Sequence, residues 1–123
     1  MLKKSSKIQS PKEVNAEQLS QNIAKRIDKK KGAEIIIFDL RNISPITDYF
    51  VIANGLSGIH NRTIAEYLME DEKPDHVEGL ETGNWILLDF FDVIVHIFSK
   101  ETREFYGLER LWGDAPRVEF NND

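Results

Sequence analysis

The sequence predicts an α/β or α+β domain in which helices pack on a five-strand mixed sheet. Three observations carry that expectation. A capped amphipathic segment near the N-terminus has helical spacing, short β-branched runs flank a second helical segment, and two strand-like runs precede an aromatic helical segment at the end.

Ser10-Pro11-Lys12-Glu13 opens the first helix: Ser10 caps, Pro11 suits the first helical position and Glu13 returns the hydrogen bond. Ala16, Leu19, Ile23, Ala24 and Ile27 follow with helical spacing, Lys29 to Lys31 favour the negative end of the helix dipole, and Gly32 provides the stop. Ile35 to Phe38 is apolar on both faces, as a strand inside a sheet requires, and Asp39 ends it. Residues 42 to 48 read as a loop because Pro45 biases Ser44 away from helix; strand character resumes from Tyr49 to Ala53. Ser57 caps a second helix with Ile64, Ala65, Leu68 and Met69 on one face, closed by Lys73-Pro74-Asp75.

Val77 to Leu80 is a short strand, joined by the turn pair Gly83-Asn84 to a strand from Trp85 to Asp89. After Phe91-Asp92, the next strand points Val93, Val95 and Ile97 one way and Ile94, His96 and Phe98 the other. A helical segment follows from about Lys100. The expected organisation is a flexible basic tail over 1–9, one domain over 10–113 and a C-terminal tail over 114–123.

Composition fits one ordinary soluble domain: 123 residues, 41% hydrophobic and 30% charged. The absence of cysteine excludes disulfides, thiolate catalysis and sulfur-ligated zinc. No run approaches the roughly 18 apolar residues of a membrane span and no apolar stretch follows the first lysines, so a cytoplasmic protein without membrane contact is expected. Charge is divided unevenly, with +6 on residues 1–31 and −11 on the rest. Such a body repels nucleic-acid phosphates and attracts a cationic protein, so no nucleic-acid specificity is expected.

Residues 85 to 112 hold seven of the twelve aromatic residues and both tryptophans. The last heptapeptide, Tyr106-Gly107-Leu108-Glu109-Arg110-Leu111-Trp112, interleaves rings and leucines with charges, a mixture suited to a contact surface. A helix that short cannot bury every side.

These segments resemble the ribosomal silencing factors, also called Iojap or RsfS proteins. The resemblance runs from the first helix to Trp112 and rests on residues 44–52, Gly55 with Ser57 and His60, Glu78-Gly79, Trp85 to Asp89, Val95 to Phe98 and Tyr106 to Trp112. It implies a fold similar to nucleotidyltransferases and a protein that binds the large ribosomal subunit through its ribosomal protein number fourteen, at the face that meets the small subunit. Subunit joining would be blocked and translation lowered when nutrients are scarce; free members tend to be homodimers. The sequence departs from the family pattern at Ile59, which stands for a basic residue, Asn61, for an aliphatic one, and Gly107, for an acidic one.

The candidate contact residues are Trp85, His96, Phe98, Tyr106, Leu108, Glu109, Leu111 and Trp112. Core packing is the competing role for Trp85, His96 and Phe98, and an internal pair with Arg103 or Arg110 the competing role for Glu109. The rival function is a metal-dependent nucleotidyltransferase, with Gly55-Leu56-Ser57 as a phosphate loop. Asp89 and Asp92 are its available acids, but two residues separate them across a turn, where a metal clamp has one. No enzyme, cofactor or metal is therefore expected. A homodimeric interaction module without ribosome binding is the third reading.

Overall fold

A computed structural model describes residues 15–120. Helix α1 (Ala16–Lys29) is capped by Asn15, whose side chain accepts a hydrogen bond from the Gln18 amide at 2.8 Å. The expected Ser10–Glu13 cap lies outside the described residues. Ser20, Ile23, Ala24 and Ile27 form the buried stripe of α1. Its end differs from expectation in one respect: the left-handed residue is Lys31 (φ 71°), not Gly32. The Lys31 amide donates to Asp28 and the Gly32 amide to Ile27, a Schellman closure. Gly32 is needed for space, since a Cβ there would collide with the Ile27 side chain.

The remaining elements follow as β1 (Ala33–Asp39), β2 (Tyr49–Gly55), α2 (Gly58–Asp71), β3 (His76–Glu78), β4 (Trp85–Asp89), β5 (Val93–Ser99), α3 (Lys100–Tyr106), α4 (Leu108–Leu111) and β6 (Arg117–Val118). They build an α+β fold with one mixed sheet, ordered β3-β4-β5-β2-β1-β6. Among the described strands, β2 and β5 are the parallel neighbours, in register through Val51↔Val95 and Ile52↔His96; the other pairs are antiparallel.

The sheet has six strands where the sequence led to five. Arg117 and Val118, assigned to a C-terminal tail, pair with Phe38 and Ile37 of β1, and Pro116 accepts from the Asp39 amide. A two-residue strand has no periodicity to read. Strand β3 is shorter than its expected span because Gly79 turns the chain with φ 87°. The terminal helical segment is divided at Gly107, whose left-handed backbone (φ 58°) ends α3 and starts α4.

Alternation along the strands separates two cores. Ile37, Val51, Ala53, Ile86, Leu88, Val93, Val95 and Ile97 meet Ile23, Ala24 and Ile27 of α1 and Ile64, Ala65 and Leu68 of α2. On the opposite side, Phe38, Leu40, Ile52, Phe98 and Ala115 pack with partly buried Ile36, Phe50, Trp85, Leu108 and Trp112. Two long helices seal the first side. Among the described residues, the second is covered by the short C-terminal elements, and its aromatic residues come to the surface.

Candidate interaction surface

The second side carries a run of rings set by strand register. Trp85 of β4 lies across from Phe98 of β5, two residues beyond His96, while Phe50 of β2 precedes Ile52, the register partner of His96. The Trp85 ring centroid is 4.9 Å from Phe98, 4.8 Å from Tyr106 and 5.9 Å from His96. Phe50 stands edge-on to His96 at 4.7 Å and to Trp112 at 5.7 Å. The stripe thus runs from Tyr106 through Trp85, His96 and Phe50 to Trp112.

A hydrogen bond orients its centre: Trp85 Nε1 donates to His96 Nδ1 at 3.0 Å. The accepting nitrogen is unprotonated, so the neutral ring carries its hydrogen on Nε2. Burial pushes the His96 pKa down to about 4, leaving the imidazole neutral at pH 7.

The eight candidate residues divide by depth. Tyr106 and Leu111 are 53% and 74% exposed. Trp85, Leu108, Glu109 and Trp112 are half-buried. His96 and Phe98 are buried, at 4% and 0% exposure, which corrects their placement among contact residues: they support Trp85 from beneath. Phe105, 78% exposed and edge-on to Tyr106 at 5.0 Å, joins the surface although sequence reasoning passed over it.

Glu109 is also engaged differently from a free surface acid. Its Oε2 accepts from Arg103 Nε at 3.1 Å and Nη2 at 2.7 Å, while Arg103 Nη1 donates to Asn54 Oδ1 at 2.7 Å. Of the two roles open to Glu109 in the sequence, the internal pair with Arg103 is the one formed.

The loop that would serve nucleotide chemistry is filled by the protein itself. Ser57 caps α2 by accepting from the His60 amide at 3.1 Å. His60 Nδ1 accepts from the Leu56 amide at 2.9 Å and its other nitrogen lies 2.7 Å from the Lys30 carbonyl, to which Nε2–H donates. Asn61, fully buried, donates to the Gly83 carbonyl at 2.7 Å. Side chains of His60 and Asn61 crowd the α-carbon of Gly55, and Gly58 lies against the backbone of Thr82 and Gly83. The departure at Asn61 thus ties α2 to the turn before β4, while Ile59 is 70% exposed. Asp89 uses Oδ1 to accept from the Phe91 amide at 2.8 Å, and Asp92 is buried in the turn. Among the described residues, no group of three or more His, Cys, Asp or Glu is arranged to hold a metal, and no helix is long and apolar enough to cross a membrane.

A sequence model of the family "Ribosomal silencing factor during starvation" matches residues 13–123. The chain is 37% identical over 108 residues to "Ribosomal silencing factor RsfS" of Halalkalibacterium halodurans, covering 84% of this chain and 92% of that protein. It is 36% identical over 74 residues to "Mitochondrial assembly of ribosomal large subunit protein 1" of Mus musculus, covering 54% of this chain and 32% of that one. Among solved structures, a crystal structure of a Chromobacterium violaceum protein superposes with a TM-score of 0.76 at 26% identity, covering 87% of this chain and 92% of that chain. The motifs, their order and the family match together make this chain a member of the ribosomal silencing factor family, a family of regulators of translation.

Proposed function

We propose that this chain docks on ribosomal protein number fourteen of the large subunit, at the face that receives the small subunit, and so blocks subunit joining and lowers translation under nutrient limitation. The carrying observation is the aromatic stripe that surfaces at Tyr106, Trp85 and Trp112 beside exposed Leu111. Large rings on a firm apolar base supply docking area at small entropic cost, and the −11 charge of residues 32–123 favours a cationic partner. The mouse relative is named for assembly of the ribosomal large subunit, which supports a large-subunit partner. The contact set is Trp85, Tyr106, Leu108, Leu111 and Trp112, with His96 and Phe98 beneath it. The chain acts in the cytoplasm, and the free form is a homodimer. The parallel β2/β5 pair followed by a Gly-Ser turn supports a nucleotidyltransferase-like ancestry, with the phosphate loop filled by side chains.

The test is a subunit-joining assay on density gradients with purified subunits. Added protein is expected to deplete joined ribosomes and co-migrate with large subunits. Normal joining at saturating protein, or co-migration with small subunits, refutes the reading.

A further inference from the structure

The corner between α3 and α4 is held by a buried charge. Arg103 is 4% exposed, and its guanidinium reaches two other elements: Asn54 of β2 through Nη1, and Glu109 of α4 through Nε and Nη2. A buried cation requires such partners, because removing it from water without a paired anion is strongly unfavourable. Helix α4 is tied by the same bonds and by Leu108, which packs on the second core. It has four residues, none of them buried, and no side-chain cap, since Gly107 occupies that position. Such a turn does not hold its own place by helical cooperativity. The connection is a single left-handed residue, Gly107, whose amide donates back to the Arg103 carbonyl at 3.0 Å. Arg103 therefore closes α3 with its backbone and anchors α4 with its side chain.

We propose that Asn54, Arg103 and Glu109 form a latch that sets the angle of the α3–α4 corner and thereby presents Tyr106, Leu111 and Trp112. Arg103 and Glu109 are positioning residues, not partner contacts. The purpose assigned to the corner rests on the docking reading above, whereas the latch is a property of the free chain.

Two measurements on the full chain test this, using Glu109→Ala, Glu109→Gln and Asn54→Ala. In amide hydrogen exchange of the free protein, Glu109→Ala should accelerate exchange at residues 107–113 by about tenfold while α1 is unchanged, and Glu109→Gln, which keeps an acceptor but not the charge, should restore part of the protection. With purified large ribosomal subunits, Glu109→Ala should weaken binding by about tenfold without changing the salt dependence of the on-rate, because no partner-facing charge has been removed. If Glu109→Ala does not fold, Asn54→Ala, which deletes one of the three bonds, gives the same readings to a smaller extent. Unchanged exchange at the corner overturns the latch. Faster exchange with undiminished affinity overturns its role in presentation, and a flattened salt dependence makes Glu109 a direct contact. Should the wild-type chain bind no large subunits, the docking reading fails alone and exchange still decides the latch.

Discussion

Trp85 donates from its indole nitrogen to the buried imidazole of His96, so the most central ring of the surface is aligned by a histidine that works only while uncharged. The unfolded chain carries this histidine at its ordinary pKa of 6.5, and the folded chain holds it near 4. Above pH 6.5 neither state binds the proton and the full stability is present. Between pH 6.5 and 4 the unfolded state takes up a proton that the folded state refuses, and stability falls with pH by roughly 3 kcal/mol before levelling off. Melting temperature should decline across this window in the wild type. In His96→Gln the decline between pH 6.5 and 5 should be largely absent; an equal decline would assign it to other groups.

Surface and supporting rings should separate in mutagenesis. Tyr106→Ala is expected to weaken large-subunit binding by about 2 kcal/mol while changing stability by no more than about 1 kcal/mol. Phe98→Ala, in a fully buried position, should cost roughly 3–5 kcal/mol of folding stability. Chemical denaturation alongside binding measurements distinguishes the two, and a stability loss at Tyr106 equal to that at Phe98 would make Tyr106 a core residue.

Gly107 tolerates its backbone angle without strain, and a Cβ there would also strike the Arg110 guanidinium. Gly107→Ala should therefore destabilise the chain by about 1–2 kcal/mol, and Gly107→Asn by less, because asparagine enters the left-handed region more readily. Equal melting temperatures for all three proteins would show that the corner relaxes freely.

Asn61 joins α2 to the turn before β4 through the Gly83 carbonyl. Asn61→Ala should cost about 1–3 kcal/mol, since a buried carbonyl loses its donor. Urea denaturation reads this directly, and a loss under about 0.5 kcal/mol would mean that the turn finds another partner.

Local rules made much of this architecture legible. Period-two alternation placed Val93, Val95 and Ile97 on one side of the sheet and His96 and Phe98 on the other, as found. Ser57 caps its helix as its position suggested. The failures share a physical cause: each depends on a partner distant in space or on crowding. Strand β6 exists because β1 offers Phe38 and Ile37 to it. Gly32 marks a helix end through the bulk of Ile27, while Lys31 takes the unusual angle. His96 and Phe98 carry the same residue types as a contact surface, and neighbours such as Trp85 and Phe50 separate them from solvent. Glu109 looks like a solvated acid until Arg103 and Asn54 are brought beside it by the parallel β2/β5 pairing.

The sheet closes on each flank with a very short strand, three residues of β3 and two of β6. Strands of that length expose few main-chain donors and acceptors of their own, which limits the template they offer to an added strand. On the docking reading, what the molecule offers is side-chain relief, matched by a partner surface shaped to its rings and leucines.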